Sequence, residues 1–495
     1  MIFEALAGLL VALIGAFIFI SIKYTKSVSE WILETSKFVY FTGHPLLDDD
    51  QKQEIITAKF KNVFKTLSIV IFKTILIILL IIIVVILFSI ALLYLREGKV
   101  IDFQSPNISQ ELFPQYLYKA PFIVGSLLPI LFIPFLPKIL KSSKSNTNEY
   151  SPIDKFLHYT FLGNNSLAKT LFKIELSLNK NKLSSSAPVK NVYVSGLARA
   201  GTTVLMQYLG QLSEFKSLSY RNLPFLFLPV TWPKFSSKKK VKEKERFHKD
   251  GVKHSLNSYE ALEEPFWLHY LGNDYIKEKT VKYHNISESV YEKYNSFRKL
   301  IAKDKIYLSK NNNHLLRASS LHLLDAENGN ITKTIVPFRE PYEQAKSLLN
   351  QHNTLSKLQE EDEFTLDYMN FLVHHEFGMN AKVSFLEEED THHVYDLDKN
   401  SIEYWLEIWY IFYKKVYEIY NGEENIYFFC YEIFVKDPHR SLVSLINAIE
   451  LPVSLVDSIS IKEFKPKKAA KSPSTDDKFL ELYTKLNLIA INNKK

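Results

Sequence analysis

Three long apolar segments occupy the first 145 residues of this chain, at residues 5–22, 67–95 and 121–140. The first is uncharged, the second carries only Lys73 close to its start, and the third contains four prolines. A helix needs about 20 apolar residues to cross a bilayer, so we predict three membrane spans and an all-α anchor over residues 1–145. Two alternatives stay open: the first segment is a signal peptide, although it lacks a basic leader, or the third is a re-entrant or interfacial segment.

The distribution of basic residues predicts which side of the membrane the loops face. Residues 21–66 contain seven lysines, whereas the only basic residues between positions 96 and 120 are Arg96, Lys99 and Lys119. Because basic loops remain in the cytoplasm, the first loop and everything after residue 140 are predicted to lie there. The pattern therefore predicts a multi-pass membrane protein whose large C-terminal region faces the cytoplasm.

A different pattern governs the rest of the chain. Three runs of β-branched and aromatic residues are predicted as strands, each followed by a helical stretch: NVYVS (191–195), TKTIVPF (332–338) and NIYFFCY (425–431). This alternation predicts an α/β fold, with a P-loop-type parallel sheet flanked by helices. We assign residues 191–480 to this domain, 146–190 to a helical lead-in and linker, and 481–495 to a C-terminal tail.

The first predicted strand leads into a glycine loop with specific chemistry. Gly196 and Gly201 have the G-x-x-x-x-G spacing of a P-loop, and a helix follows them. Such a loop presents backbone N–H groups and a helix N-terminus to a phosphate. Thr202 stands where a P-loop NTPase has lysine, which disfavours ATP or GTP hydrolysis. With Arg199 as its only cation, the loop suits a phosphate ester that carries a good leaving group.

A second anion-binding pattern follows the predicted strand at residues 332–338. Arg339 ends this strand, Pro341 shapes the turn, and Ser347 lies eight residues after Arg339 on the next predicted helix. Arginine can bind phosphate through two hydrogen bonds, and serine adds one donor. The two motifs together predict two phosphate sites within one α/β domain.

Composition and charge disfavour nucleic-acid binding, disulfide formation and metal binding. The formal net charge is +7 with lysines spread along the chain, so nucleic-acid binding is not predicted. Cys430 is the single cysteine, which excludes an internal disulfide and a cysteine-rich zinc site. The pairs His374/His375 and His392/His393 are adjacent in sequence, so their side chains diverge and we expect no bound metal.

These motifs resemble those of the PAPS-dependent sulfotransferases. That family has Arg or Lys before [SA]-G-T-T in its P-loop and a later R-x-P-x(5)-S, matched here by ARAGTT (198–203) and REPYEQAKS (339–347). Ala198 and Glu340 depart from the Pro and the Asn or Asp that are more usual there. The resemblance covers roughly residues 190–480 and implies transfer of a sulfuryl group from 3′-phosphoadenylyl sulfate (PAPS) to an acceptor hydroxyl.

The resemblance also implies roles for individual residues. The 5′-phosphosulfate of the donor would lie on Ala198, Arg199, Ala200, Gly201, Thr202 and Thr203. Arg199 would neutralise the leaving oxygen, on which charge accumulates during in-line transfer. Arg339 and Ser347 would hold the 3′-phosphate.

The residue that takes the acceptor's proton stays open among three candidates. Sulfotransferases of this fold use a His or Glu for this step. We prefer Glu264, then Glu263, both in LEEPFW, and then His248 in RFHKDG. Ordinary surface side chains are the alternative for all three. Lys310, in LSKNNN, either reaches a donor or acceptor oxygen or is an ordinary lysine at a strand end.

The sequence thus predicts a membrane-anchored sulfotransferase, similar to a bacterial branch of the family, in a bacterial inner membrane with its catalytic domain in the cytoplasm. Its expected partners are the lipid bilayer and a glycan, glycolipid or other hydroxyl-bearing acceptor. Two other classes remain. A P-loop kinase or other nucleotide-binding protein would need the missing lysine. A catalytically inactive PAPS-binding membrane scaffold would bind the nucleotide and transfer nothing.

Overall fold

The structure is a computed structural model that describes residues 2–97, 150–183, 188–236, 244–245, 253–254, 259, 261–385, 391–461 and 477–493. The predicted span at 121–140 and the candidate base His248 lie outside these residues. The chain divides into two compact units, Met1–Thr42 with Asp48–Tyr159, and Gly43–Leu47 with Thr160–Lys495.

The described part of the first unit is helical. Its helices are α1 (Ile2–Ser21), α2 (Tyr24–Thr42), α3 (Asp49–Glu97) and α4 (Pro152–Leu157). The apolar segment 67–95 lies within α3, and nearly all of the segment 5–22 lies within α1. Among the described residues, one helix, Asp49–Phe88, is long and apolar enough to cross a membrane. The arrangement with three spans stays a prediction.

Lys73, the charge inside the second apolar segment, is held by groups before and within α2. Its Nζ donates hydrogen bonds to the carbonyl of Ile22 at 2.9 Å and to Oγ of Ser27 at 2.8 Å. One residue further along α3, the hydroxyls of Thr74 and Tyr24 lie 3.0 Å apart. A polar group in apolar surroundings is tolerated when it is hydrogen-bonded. These contacts therefore fasten α2 to α3 at the point where the apolar segment begins.

The second unit is built on a parallel sheet. The described strands are β1 (Lys190–Val194), β2 (Phe215–Lys216), β3 (Lys244–Glu245), β4 (Lys253–His254), β5 (Thr280–Val281), β6 (Ile306–Lys310), β7 (Ile331–Phe338), β8 (Val383–Ser384) and β9 (Ile426–Cys430). Five of them form one sheet in the order β2–β6–β1–β7–β9, with every pair parallel. In the central strand, Val194 lies opposite Lys310 on one side and Ile335 on the other. The predicted α/β fold with a parallel sheet is confirmed.

Helices connect and surround these strands. They are α5 (Asn165–Leu178), α6 (Lys180–Leu183), α7 (Thr202–Leu209), α8 (Trp232–Phe235), α9 (Glu264–Tyr275), α10 (Glu288–Ala302), α11 (Ala318–Glu327), α12 (Pro341–Glu361), α13 (Glu363–Phe371), α14 (Thr391–Tyr395), α15 (Ile402–Tyr420), α16 (Tyr431–Lys436), α17 (Pro438–Ala448) and α18 (Asp477–Ile489). A π-helical turn, His158–Leu162, precedes α5.

The two faces of the sheet are buried against different helices, as side-chain alternation along a strand requires. On one face, Val192 and Val194 belong to an apolar cluster with Leu205 of α7 and Leu445 of α17. On the other, the hydroxyl of Tyr193 meets that of Tyr294 from α10 at 2.7 Å. Near-continuous burial on both faces is typical of parallel sheets, and it holds the strand ends rigidly in place.

Four neighbouring strands end at one edge of the sheet. β6 ends at Lys310, β1 at Val194, β7 at Phe338 and β9 at Cys430. Because the strands are parallel, the segments that follow them lie side by side. In open α/β sheets, ligands bind in the crevice outside these carboxyl ends.

Candidate active site at the carboxyl edge of the sheet

The glycine loop after β1 lies tightly against the ends of β7 and β9. A Cβ atom on Gly196 would lie 2.7 Å from the carbonyl oxygen of Pro337. Gly201 has φ +90°, and a Cβ atom there would lie 2.5 Å from Cδ2 of Tyr431. Close approach and a left-handed backbone are the two conditions under which only glycine fits well. Both glycines of the predicted P-loop are thus required by the packing of this edge.

The helix N-terminus behind the loop has no side-chain hydrogen bond at its N-cap. α7 begins at Thr202 with Gly201 as its N-cap, and in the described structure no side chain caps its first N–H groups. Thr202 is buried and Thr203 is partly exposed. Uncapped N–H groups at the positive end of a helix are the usual donors to phosphate. Gly201, Thr202 and Thr203 therefore have the geometry expected of an anion cradle.

The second predicted motif forms the turn between β7 and α12. Glu340 is the N-cap of α12, and its carboxylate accepts a hydrogen bond from the backbone N–H of Glu343 at 2.7 Å. The guanidinium of Arg339 lies 5.2 Å from the ring centroid of Tyr431. Its Nη2 is 3.3 Å from Oε2 of Glu343, and its Nε is 3.9 Å from Oε1 of Glu432. Arg339 thus lies at the crevice with carboxylates around it.

One N–H group of Arg339 has no hydrogen-bond acceptor among the described residues. Its Nε is buried and makes no hydrogen bond within the described residues. Burial raises the pKa of Glu340, and the nearby carboxylates of Glu432 and Glu343 raise it further, although backbone N–H groups oppose the shift. The carboxylates of Glu343 and Glu432 therefore balance the charge of Arg339 in this structure.

The two motifs converge on each other. Nε of Arg199 donates a hydrogen bond to Oγ of Ser347 at 3.0 Å. On the same helix, Nε2 of Gln344 donates to the carbonyls of Leu197 at 3.3 Å and Ala198 at 3.0 Å. The glycine loop and the Arg339–Ser347 turn are therefore parts of one site.

Two further contacts support this convergence. Oε1 of the buried Gln344 accepts a hydrogen bond from Nε1 of Trp409 on α15 at 3.1 Å, so its side chain cannot rotate freely. Burial raises the pKa of the Tyr431 phenol, while the charges of both Arg339 and Arg199 act to lower it. Both cations therefore lie close to Tyr431. Sequence reasoning did not assign Gln344 or Tyr431 to the site, although each lies within or beside a motif that it had identified.

Glu264, the preferred candidate for the base, lies in a buried ion pair. Its Oε1 and Oε2 accept hydrogen bonds from Nη2 and Nη1 of Arg317 at 2.7 and 2.9 Å. The hydroxyl of Tyr275 and Nδ2 of Asn311 donate to the same two oxygens, each at 2.7 Å. Burial lowers the pKa of Arg317, but Glu264 outweighs burial and holds that pKa above its usual value. A general base needs an oxygen facing the acceptor, and both oxygens of Glu264 are engaged.

Glu263 is buried beside it in a similar network. Its Oε1 accepts hydrogen bonds from Nε1 of Trp267 at 2.9 Å and from Nδ2 of Asn311 at 3.1 Å. Its Oε2 accepts one from the hydroxyl of Tyr307 at 2.9 Å. Glu263 and Glu264 are both buried rather than surface side chains, and Glu264 also lines a small cavity at the end of β6. Their contacts fit a role in joining α9 to β6.

His374, which was considered only as a metal ligand in the sequence, and Glu376, which was not identified there, lie beside the end of β6. Oε1 of Glu376 accepts a hydrogen bond from Nδ2 of Asn312 at 2.6 Å, and its Oε2 lies 3.6 Å from Nδ1 of His374. Together with Lys310 these residues line a small cavity. Adjacent histidines do diverge as expected, since His375 is buried while His374 is partly exposed. The i, i+2 pairing of His374 with Glu376 had no recognised signal in the sequence.

Two other features of the unit bear on its chemistry. Over the described part of the chain, no group of three or more His, Cys, Asp or Glu side chains is placed to hold a metal ion. A cavity of about 630 Å³ is lined by Lys216, Arg221 and Lys303 among others. Helix C-termini at Gly210 and Lys303 face it, which accounts for basic side chains there.

The chain is weakly similar to several solved structures. No protein-family model and no curated protein matches the sequence. A sulfotransferase from Mycobacterium tuberculosis H37Rv is similar, with a TM-score of 0.33 and 14% identity over 63% of this chain and 82% of that one. A sulfotransferase from Mycobacterium avium has a TM-score of 0.35 and 13% identity over 75% of this chain and 84% of that one. One from Alicyclobacillus acidocaldarius has a TM-score of 0.27 and 13% identity over 62% of this chain and 95% of that one.

Proposed function

We propose that this chain is a sulfotransferase that moves the sulfuryl group of PAPS to an acceptor hydroxyl. The observation that carries the proposal is the convergence of its two anion-binding turns, in which Arg199 bonds to Ser347 at 3.0 Å. PAPS carries a phosphosulfate at one end of its ribose and a phosphate at the 3′ position. A nucleotide of this kind needs two anion sites within the reach of one ribose, and a triphosphate does not.

In this proposal each of the two motifs binds a different phosphate of PAPS. The N–H groups of Gly201, Thr202 and Thr203 hold the 5′-phosphate at the N-terminus of α7, and Arg199 stabilises the bridging oxygen. Arg339 and Ser347 hold the 3′-phosphate, which replaces Glu343 beside Arg339 and Arg199 beside Ser347. Arg199 is then released toward the phosphosulfate. In the transfer, the acceptor oxygen bonds to sulfur, the sulfur–oxygen bond to the 5′-phosphate breaks, and 3′,5′-ADP leaves.

The membrane and the acceptor belong to the same proposal. The helix Asp49–Phe88 would anchor the protein in a bacterial inner membrane, as one of several spans, with the sheet domain in the cytoplasm. PAPS is made in the cytosol of bacteria, which agrees with this orientation. An enzyme held at the bilayer suits an acceptor that is also held there, so we propose a hydroxyl on a glycan or glycolipid.

Isothermal titration of the full-length protein in detergent tests the nucleotide site. We expect 3′,5′-ADP to bind more tightly than 5′-AMP, because only the former reaches Arg339 and Ser347. The Ser347→Ala and Arg339→Gln variants should bring the affinity for 3′,5′-ADP close to that for 5′-AMP while leaving 5′-AMP binding unchanged. Equal affinity of the wild-type protein for the two nucleotides would refute the assignment of the 3′ site.

Transfer of radiolabelled sulfate from PAPS into a cell-envelope extract tests catalysis. We expect label in a glycan or lipid fraction that depends on Arg199. Tight binding of 3′,5′-ADP with no transfer would instead support an inactive scaffold. ATP turnover without binding of 3′,5′-ADP would support a kinase, which the threonine at position 202 disfavours.

A further inference from the structure

We propose that His374 is the general base of the transfer and that Glu376 holds its imidazole in position. The inference rests on the proposed function, because it assigns the proton-transfer step of the same site. It replaces Glu264 and Glu263, whose oxygens are occupied by the hydrogen bonds described above.

The segment after β6 connects this pair to Ser195, the residue that precedes the glycine loop. The backbone N–H of Asn311 donates to the carbonyl of Val194 at 3.2 Å, which extends the pairing of β6 with β1. Oγ of Ser195, the residue before the loop's first glycine, donates to the carbonyl of Asn312 at 3.4 Å. The side chain of Asn312 then donates to Glu376 at 2.6 Å. A short chain of contacts thus connects the start of the loop to Glu376, and Glu376 to His374.

Glu376 has the features of a group that orients a histidine. Only 12% of its side chain is exposed, and its Oε2, 3.6 Å from Nδ1 of His374, makes no hydrogen bond within the described residues. Burial acts to raise the pKa of Glu376, but His374 and Asn312 outweigh burial and lower it to about 2. Glu376 is therefore a carboxylate at neutral pH, with one oxygen fixed by Asn312 and the other directed at the imidazole.

The arrangement can perform the step that transfer requires. A carboxylate at Nδ1 favours the tautomer with the proton on that nitrogen, which leaves the lone pair of Nε2 for the acceptor hydroxyl. As the acceptor oxygen bonds to sulfur, its proton passes to Nε2 and the electron pair of the breaking bond goes to the 5′-phosphate. The carboxylate of Glu376 then stabilises the positive charge of the imidazolium that forms. The side chain of His374 is 19% exposed to solvent, and its Nδ1 lies 3.6 Å from Oε2 of Glu376.

The charged groups around His374 are consistent with this role. Lys310 at the end of β6 and Glu264 from α9 line the same cavity, and the charge of Glu264 is balanced by Arg317. On the same loop, burial lowers the pKa of His375 to about 3, which removes it as a competing base. Val373 has φ +55°, a left-handed conformation that is strained for a β-branched residue. Strain of this kind concentrates where a loop has to present a particular side chain.

Kinetics of the full-length protein in detergent test the proposal, with radiolabelled PAPS as donor and a cell-envelope extract as acceptor. We expect His374→Ala to lower kcat by about 10²- to 10⁴-fold, the usual contribution of a general base, and to leave the affinity for 3′,5′-ADP unchanged. Added imidazole should restore part of the rate of this variant. His439→Gln, on an exposed histidine, serves as the matched control and should keep the wild-type rate.

Glu376 is tested by the pH profile of kcat. A nearby carboxylate stabilises the imidazolium, so Glu376→Gln should move the acidic limb of the profile to lower pH as well as lower the rate. Glu376→Asp, which keeps the charge, should leave the limb near its wild-type position. A residue that is merely structural would change the rate without moving the limb.

The outcomes separate this inference from the function on which it rests. A wild-type protein that neither binds 3′,5′-ADP nor transfers sulfate overturns both. Transfer by the wild-type protein, with His374→Ala at the same rate or without rescue by imidazole, overturns the assignment of the base alone. An unchanged acidic limb in Glu376→Gln overturns the positioning role of Glu376.

Discussion

Replacing Gly201 with alanine should destabilise the sheet domain and disrupt the donor site together. The residue has φ +90°, and the added Cβ would lie 2.5 Å from Cδ2 of Tyr431, whereas carbon atoms prefer about 3.5–4.0 Å. The left-handed backbone costs alanine about 1–2 kcal/mol. The overlap with the ring adds about 1–3 kcal/mol. The lower entropy of the unfolded chain offsets about 0.4–1 kcal/mol, which leaves a net loss of about 1–5 kcal/mol.

Gly422 supplies a matched control. It has φ +88°, almost the same backbone conformation, but nothing lies within 4 Å of an added Cβ. Gly422→Ala therefore isolates the backbone contribution, and after the entropic offset it should cost about 1.5 kcal/mol or less. The difference between the two variants measures the collision with Tyr431.

Thermal unfolding of the full-length protein in detergent measures the difference, at roughly 2 °C in Tm per kcal/mol. In a Tyr431→Ala background, Gly201→Ala should cost no more than Gly422→Ala does in the wild-type protein. In titrations, Gly201→Ala should bind 3′,5′-ADP more weakly than the wild-type protein does. Gly422→Ala should bind it as tightly as the wild-type protein. Equal Tm shifts for the two glycine variants would refute the reasoning, because they would mean that the loop does not lie against Tyr431.

Three further predictions follow from the described contacts. Arg199→Ala should abolish sulfate transfer while Arg339→Ala chiefly weakens binding of 3′,5′-ADP; wild-type rates for both at low PAPS concentration would contradict the site. Glu264→Gln leaves the buried Arg317 without its counter-charge and should lower the free energy of unfolding by about 3–5 kcal/mol, as measured by denaturation. Burial lowers the pKa of His269 to about 4, so the unfolded chain binds more protons than the folded protein below pH 6.5, and stability falls as the pH drops from 6.5 toward 4. The loss at pH 5 should be about 2 kcal/mol from this group, and His269→Gln should reduce the difference in Tm between pH 7 and pH 5.

Local patterns in the sequence predicted the elements that form the edge of the sheet. The runs at 332–338 and 425–431 are strands because their β-branched and aromatic side chains favour extended backbone and burial on both faces. The glycine loop was recognisable because its two glycines have the spacing of a P-loop, although the residues that pack against them, Pro337 and Tyr431, are distant in sequence. β2 has only two residues, Phe215–Lys216, which is too short to produce a periodic signal.

Contacts between distant residues could not be predicted in this way. Glu264 was an attractive base in the sequence because a turn-forming proline follows it, but its partner Arg317 comes from a segment far along the chain. The pairing of Arg199 with Ser347 likewise depends on β1 and β7 being neighbours, which only the strand order reveals. Sequence spacing indicates what a segment can form, and the tertiary arrangement decides which of its side chains remain available for chemistry.

The hydrogen bonds from Gln344 have a consequence for the polarity of the glycine loop. In a trans peptide the C=O and N–H groups point in opposite directions, so the amides whose carbonyls face Gln344 direct their hydrogens away from α12. The orientation of these peptide dipoles is therefore fixed by contacts with α12. A substitution that loosens α12 should allow the peptide groups after Leu197 and Ala198 to rotate. We expect it to weaken binding of the 5′-phosphate and of the 3′-phosphate of the proposed donor together. Selection for tighter donor binding could then act on a helix that never touches the reacting atoms.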